Sequence, residues 1–366
     1  LRDRFFMRIV KRTLSIIGLV LLLIVIGVLG AVTVMCIGPS KAARNRFVNT
    51  LMETSALKFV PGIYFSDEEV EEMLEAGKVR VPTVQTDLSL INIGKTQDRQ
   101  ALMGSSAPEN DTGLNSQNDP AGPAQEAEGT PQAQEEPEED LVIEEIRTET
   151  YRGRIMIVKD PSRVYIRTIP SFSEGGSGQK VIDMANADGA IAGMNAGGFY
   201  DPEGHGRGGM PLGAVIKDGV LVSNFPSSFS TIIGFDFENR LIVGDMSPSA
   251  AIEAGMKDAI AFGPALVING ERVPTGSAGG VNPRSAIGQR GDGAVLLLSI
   301  DGRQPTSLGA TASELEDIML EYGAVNAANL DGGSSSVLYY QGELISSPSS
   351  VVGIRPVPTA ILVKAE

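Results

Sequence analysis

The 366-residue sequence has a single cysteine, Cys36, and a single histidine, His205. One cysteine forms no intramolecular disulfide, so a place outside the cytoplasm would require a core that stands without covalent cross-links. One histidine excludes zinc centres built on several imidazoles and leaves one candidate for a Ser-His-Asp arrangement. No Gly-x-Ser-x-Gly elbow is present to supply a serine nucleophile. There is also no block of Lys and Arg. The formal net charge is −15, and residues 101–140 hold ten acidic side chains and no basic one. The rest of the chain is close to charge balance, which excludes the electrostatic footprint of nucleic-acid binding.

One long apolar run is present. Residues 14–37 carry no charge, and at 1.5 Å per residue they make about 36 Å of helix, enough to cross a bilayer core of ~30 Å. The run is too long for a signal-peptide core and lacks small residues at a cleavage position, which predicts an uncleaved single-pass anchor. Five basic residues precede it (Arg2, Arg4, Arg8, Lys11, Arg12) and three follow (Lys41, Arg44, Arg46). That bias puts residues 1–13 in the cytoplasm and everything after the span outside it. The lack of disulfides there fits a bacterial surface protein.

Residues 41–90 read as a helical stalk with two helices, the second opened by Ser66 and Glu69 as a capping box and stopped near Gly77. Residues 91–140 are rich in Pro, Gln, Glu, Gly, Ser and Ala and contain no aromatic residue. Such a stretch buries too little apolar surface to offset chain entropy, so a disordered, extended acidic tether is expected.

From residue 141 the composition becomes that of a folded domain, 141–366. Short strands are predicted at 141–148, 155–158, 164–166, 190–194, 214–217, 221–222, 231–235, 241–243, 265–268, 294–299, 337–340 and 359–363, with one strong helix over 312–322. A further strand carries Asn329 and Asp331 to its carboxyl end, where the run Asp-Gly-Gly-Ser-Ser-Ser begins. Many strands, few helices and no regular βαβ alternation give an α+β fold.

Glycine-punctuated motifs recur in that domain: Asn195-Ala-Gly-Gly-Phe199, Pro211-Leu-Gly, Gly263-Pro-Ala-Leu, Asn282-Pro-Arg-Ser-Ala-Ile-Gly288, Asp301-Gly-Arg and Asn329-Leu-Asp-Gly-Gly-Ser-Ser335. In this order they resemble the phosphodiester glycosidase family, including its exopolysaccharide-associated bacterial branch. The resemblance implies cleavage between a sugar's anomeric carbon and a phosphate oxygen in a glycan or other glycosyl phosphodiester. Phosphate leaves without full protonation, so such a site needs a cation, carboxylates at the anomeric carbon and backbone donors more than a strong acid.

On that reading Arg284 would grip the phosphate or anchor its own turn. Asp331 would serve as nucleophile or base. Asp301 would be the second carboxylate or an ordinary hairpin residue. Asn195 and Asn329 would bind the sugar, with Gly197, Gly198, Gly332 and Gly333 permitting close approach. Ser334 and Ser335 would donate to phosphate or cap the next segment, and His205 would protonate the leaving group, contact the phosphate or simply sit in its loop. Asp301, Asp331 and Asn195 offer oxygens suited to Ca²⁺, yet no regularly spaced Asp-rich loop is present, and no obligatory metal or other cofactor is expected. A non-catalytic glycan-binding or exopolysaccharide assembly protein on the same fold is the alternative.

Overall fold

The computed structural model describes residues 2–52, 54, 57–77, 85–93, 140–202, 206–275, 279–350 and 353–365, with side chains from residue 11 onward. The apolar run forms most of helix α1 (Arg2–Ile37). Three further helices follow: α2 (Lys41–Met52), α3 (Pro61–Tyr64) and α4 (Asp67–Gly77). Two helices are expected after the span; the third, α3, is a single turn with Pro61 at its start, where a missing N–H costs nothing. The capping box of α4 is formed: Ser66 N donates to Glu69 Oε2 at 2.8 Å and Glu69 N to Ser66 Oγ at 3.2 Å. Val48, Leu51 and Val70 are buried between these helices. The Thr33 hydroxyl of α1 meets the Tyr64 hydroxyl of α3 at 2.9 Å.

The remaining elements in chain order are β1 (Leu141–Arg147), β2 (Arg152–Val158), β3 (Val164–Thr168), α5 (Val181–Asp188), β4 (Ala190–Asn195), β5 (Gly213–Lys217), β6 (Val220–Phe225), β7 (Thr231–Asp236), β8 (Leu241–Asp245) and α6 (Pro248–Glu253). Then come β9 (Met256–Phe262), β10 (Ala265–Ile268), β11 (Glu271–Arg272), β12 (Arg284–Arg290), β13 (Val295–Ile300), α7 (Ala312–Glu321), β14 (Ala324–Leu330), β15 (Leu338–Tyr340), β16 (Glu343–Leu344) and β17 (Thr359–Lys364). They make three antiparallel sheets, ordered β1-β2-β13-β12-β14-β10-β11, β16-β15-β4-β17-β3 and β6-β5-β9-β7-β8. The class is α+β.

The seven-stranded sheet is the middle layer. In β13, Val295 and Leu297 join a cluster with Ile166, Met194, Ile233, Ile260 and Ile361 of the other two sheets. Leu296, Leu298 and Ile300 point the opposite way, into a cluster with Leu315, Ile318 and Met319 of α7. The two-residue alternation of a strand thus feeds two cores at once, and β13 reads as continuously apolar because both faces are covered. Helix α7 is set by a full capping box, with Glu314 N donating to Thr311 Oγ1 at 3.2 Å and Thr311 N to Glu314 Oε2 at 2.7 Å.

Residues 85–93 lie across the domain as a strap. Thr86 Oγ1 donates to Val243 O at 2.9 Å and accepts from Val243 N at 3.2 Å, which closes the edge of β8. Asn269 Nδ2 donates to Gln85 O at 3.0 Å, and Asn92 N to Gly291 O at 2.9 Å. Ile91, assigned from composition to the tether, is buried here. Of that expected tether, residues 94–139 lie outside the described residues.

Both flanks of the tether meet at one corner. A Cβ on Gly293 would be 3.2 Å from Ile93 and 3.8 Å from Pro161. Two residues beyond Pro161, Arg163 pairs with Asp140, and Lys159 N donates to Asp140 O at 3.0 Å. The described residues that flank the acidic segment therefore lie at one place on the domain.

Candidate active site

Strand β14 delivers Asp331 to a junction between two sheets. Its peptide is held on both sides by the end of β4: Asp331 N donates to Ala196 O at 3.0 Å, and Asn195 Nδ2 donates to Asp331 O at 2.5 Å. Asn195 is fully buried, and its Oδ1 accepts from Ser285 Oγ at 2.8 Å and from Val337 N at 3.1 Å. Its amide is thus occupied by protein groups. The sequence reading placed Asn195 on the sugar, whereas the geometry places it behind the wall, orienting the carboxylate-bearing loop.

The turn after Asp331 is packed against Pro283. A Cβ on Gly332 would lie 2.7 Å from Pro283 O and 3.8 Å from the Arg284 Cα, so only glycine lets the two segments approach this closely. Gly333 N then donates to Pro283 O at 2.9 Å. These contacts bring β12 and β14 together at the ends that carry Arg284 and Asp331.

Arg284, Asp331, Asn329, Gly198, Gly332, Gly333 and Ser334 all line one cavity of about 860 Å³. Arg284 is buried, with Nη2 donating to Gly279 O at 2.6 Å and Gly280 O at 2.9 Å, and Nε to Ala310 O at 3.2 Å. It therefore anchors the turn as well as facing the cavity. Asn329 is 2% exposed; its Nδ2 donates to Gly263 O at 2.8 Å, while its Oδ1 is buried without a hydrogen-bond partner. A buried orphan acceptor at a cavity wall is costly unless a ligand supplies a donor.

Not every expected residue reaches the cavity. Asp301 is not part of its wall: Oδ1 accepts from Ser347 N at 2.7 Å, and its carbonyl accepts from Ser307 Oγ at 2.6 Å. Burial raises its pKa above the ordinary carboxylate value, with the Ser347 N–H and the charge of Arg154 pulling the other way. This is the turn-residue reading of Asp-Gly-Arg. Gly197, whose N–H donates to Thr359 Oγ1 at 3.1 Å, and buried Ser335 sit behind the wall. His205 lies outside the described residues.

Two arginines went unrecognised in the sequence. Arg303, the third residue of Asp-Gly-Arg, adopts a left-handed φ of 55° that turns its side chain to the cavity while Asp301 turns away. Its Nη2 donates to Asn282 Oδ1 at 2.9 Å, and a Cβ on Gly333 would be 3.4 Å from its guanidinium. Arg355 donates to Ser334 Oγ at 3.2 Å, pairs with Asp201 and lies 5.0 Å over the Phe199 ring. The Gly333–Ser334 turn is thus flanked by guanidinium groups on both sides. Phe229 and Phe262, with ring centroids 4.3 Å apart, form an apolar wall. Asn49, Met52, Lys58 and Leu74 of the amino-terminal helical region complete the rim.

Among the described residues no cluster of three or more His, Cys, Asp or Glu forms a metal cage. The cavity instead combines three guanidinium groups, one ammonium, two carboxylates and an aromatic wall. That set suits an anion joined to a ring.

Comparison with known proteins gives the family. Residues 188–364 match the model of the phosphodiester glycosidase family, to which the carboxyl-terminal domain of this chain belongs. The SPbeta prophage-derived uncharacterized protein YomE of Bacillus subtilis is 31% identical over 182 residues, covering 47% of this chain and 27% of YomE. The mouse N-acetylglucosamine-1-phosphodiester alpha-N-acetylglucosaminidase is 27% identical over 220 residues, covering 54% of this chain and 41% of that protein. This chain therefore spans less than half the length of these relatives. The solved catalytic domain of the zebrafish enzyme of that name shares the fold, with a TM-score of 0.51, 22% identity and coverage of 64% of this chain and 86% of that one.

Proposed function

We propose that the domain hydrolyses a sugar 1-phosphodiester, with Asp331 at the anomeric carbon and Arg284, Arg303 and Arg355 around the phosphate. One observation carries this reading: a carboxylate and three guanidinium groups share one cavity at the junction of two sheets. Asp331 acts as the base for water or as the nucleophile. Either way the C1–O bond breaks with its electron pair leaving on a phosphate monoester that the arginines stabilise. The orphan Oδ1 of Asn329 accepts from a sugar hydroxyl or acetamido N–H. Asp201 pairs with Arg355 and orients it. Phosphate departs without protonation, so the absence of Asp301 from the cavity does not remove an essential acid.

The relatives' names make N-acetylglucosamine the first sugar to try. The chain is anchored through residues 14–37, with the domain outside the cytoplasm acting on a cell-surface or exopolysaccharide glycan; the support is an exposed helix of mean hydropathy 3.0 and the flanking charge. The displacement of Asp301 favours one other reading, a glycan-binding protein without turnover. The two separate when the full chain in detergent micelles is offered a panel of sugar 1-phosphodiesters and release of the phosphate monoester is followed by phosphorus NMR. Turnover that falls about 10²–10⁴-fold in Asp331→Asn and is weakened chiefly through KM in Arg303→Ala agrees with the assignment. Folded Asp331→Asn that turns over like the parent refutes it, and a parent that binds without turnover supports the second reading.

A further inference from the structure

The wall of the cavity farthest from Asp331 in sequence belongs to the helices that follow the span, and one element there is oddly apolar. Between α2 and α4, Leu57 is 41% exposed, and Phe59 and Ile63, at 67% and 66%, are as bare as Leu14 (62%) and Ile37 (66%) in the apolar run of α1. They are not scattered. Tyr64, next to Ile63, has its hydroxyl 2.9 Å from that of Thr33, which lies within the last turns of the span. Helix α3, which carries Ile63 and follows directly on Leu57–Val60, therefore stands beside the carboxyl-terminal turns of α1. Exposed apolar side chains continuous with a spanning helix are covered by lipid. Lys58 lies exposed within the tip, and Lys41 is exposed at the start of α2 just after the span, as anionic headgroups require.

The same element borders the cavity. Lys58 lines it, as do Met52 at the end of α2 and Leu74 of α4. Val281 N donates to Thr50 Oγ1 at 3.1 Å, which fixes α2 to the segment just before Arg284. Helix α2 has 12 residues, so its far end is at most about 18 Å from its start beside the span. Residues 85–93, which precede the acidic segment, already lie against the domain.

We infer that the Leu57–Ile63 tip is seated in the bilayer interface and opens the cavity onto the membrane surface, so that the substrate is a glycosyl phosphodiester whose aglycone is a membrane lipid. This rests on the hydrolytic, membrane-anchored reading given above. The lipid stays in the leaflet, the phosphate meets Lys58 and then the arginines, and the sugar reaches Asp331. Water replaces the lipid phosphate at C1; the sugar is released to solvent, and the lipid phosphate remains in the membrane.

The chain has no tryptophan, so Phe59→Trp gives a single fluorophore. The full chain is reconstituted in phosphatidylethanolamine–phosphatidylglycerol vesicles with brominated acyl chains. Phe59→Trp is expected to be quenched, and Phe237→Trp, on the domain surface at 63% exposure, is not. An unquenched Phe59→Trp overturns the membrane seat. In the same vesicles a lipid-linked sugar 1-phosphodiester is compared with its short-chain soluble analogue. Phe59→Ser with Ile63→Ser is expected to lower turnover of the lipid-linked substrate by roughly tenfold or more while leaving the soluble one unchanged. Equal use of both substrates by the parent, or no loss in the double variant, overturns the substrate class alone; a parent inactive on both overturns the hydrolytic reading as well.

Discussion

Replacing Asn195 by alanine tests whether this buried amide sets the position of Asp331. The side chain bonds the Asp331 carbonyl at 2.5 Å, Ser285 Oγ at 2.8 Å and Val337 N at 3.1 Å, with no exposure to solvent. Alanine leaves all three partners buried and two of them, the carbonyl and the N–H, without a rotamer to escape by. Each such group costs ~1–3 kcal/mol, which for two gives roughly 2–6 kcal/mol after the serine hydroxyl has turned elsewhere. Against a total stability of ~5–15 kcal/mol this is a large fraction, and it lowers Tm by roughly 4–24 °C in a domain of this size. Thermal unfolding followed by far-ultraviolet circular dichroism reads the stability. Steady-state rates well below the lowered Tm read the position of Asp331: kcat is expected to fall more than KM rises, because the carboxylate loses its fixed approach while the arginines keep theirs. A Tm within about 2 °C of the parent, or a rate loss confined to KM, refutes the role given to Asn195.

Asp301→Asn is expected to keep activity and to gain stability at neutral pH. The folded pKa of Asp301 is raised by burial, so the folded state holds its proton more tightly than the unfolded chain. Its contribution is full below the unfolded value of ~3.9 and is lost as pH rises through the raised folded value. Asparagine keeps an acceptor for Ser347 N and does not titrate, so the difference in Tm between variant and parent should widen as pH rises through that window; a constant difference rejects the assignment. Gly332→Ala puts a Cβ 2.7 Å from Pro283 O; it is expected to cost about 1–3 kcal/mol and most of the activity, with urea unfolding and turnover as the readouts. Thr311→Ala removes the cap of α7 and should cost about 1 kcal/mol by urea unfolding with activity intact.

Much of the fold is legible because its strands announce themselves. The apolar runs at β4, β7, β8, β10, β13 and β17 are seen in the sequence at close to their true limits. Strand β12 is not, since Arg-Ser-Ala-Ile-Gly-Gln-Arg carries neither alternation nor β-branched density. It is a strand because of what surrounds it: Gly288 makes room for Met319, whose Sδ would be 3.0 Å from an added Cβ, and Gln289 is buried with its amide bonded to Leu241 N, Asn239 O and Gly293 O. Such a strand is specified by its neighbours, and no local pattern records it. Strand β9 escapes for a similar reason, with Lys257 and Asp258 interrupting its apolar residues.

The site divides in the same way. Asp331 and Arg284 stand in motifs dense enough to be noticed, and both line the cavity. In Asp-Gly-Arg attention falls on the carboxylate, yet the left-handed turn at Arg303 exchanges the two directions. That exchange is a backbone property. Arg355 pairs with Asp201 across 154 positions of sequence, and only the closed fold brings them together.

The corner where Ile93 and Asp140 meet has an evolutionary corollary. Ile93 and Asp140 border the same patch of the domain although far apart in sequence, and the entropy of closing such a stretch grows only slowly with its length. Lengthening or shortening the sequence between those two residues therefore costs the domain little in chain entropy, and lineages can differ in its length at small expense to the fold.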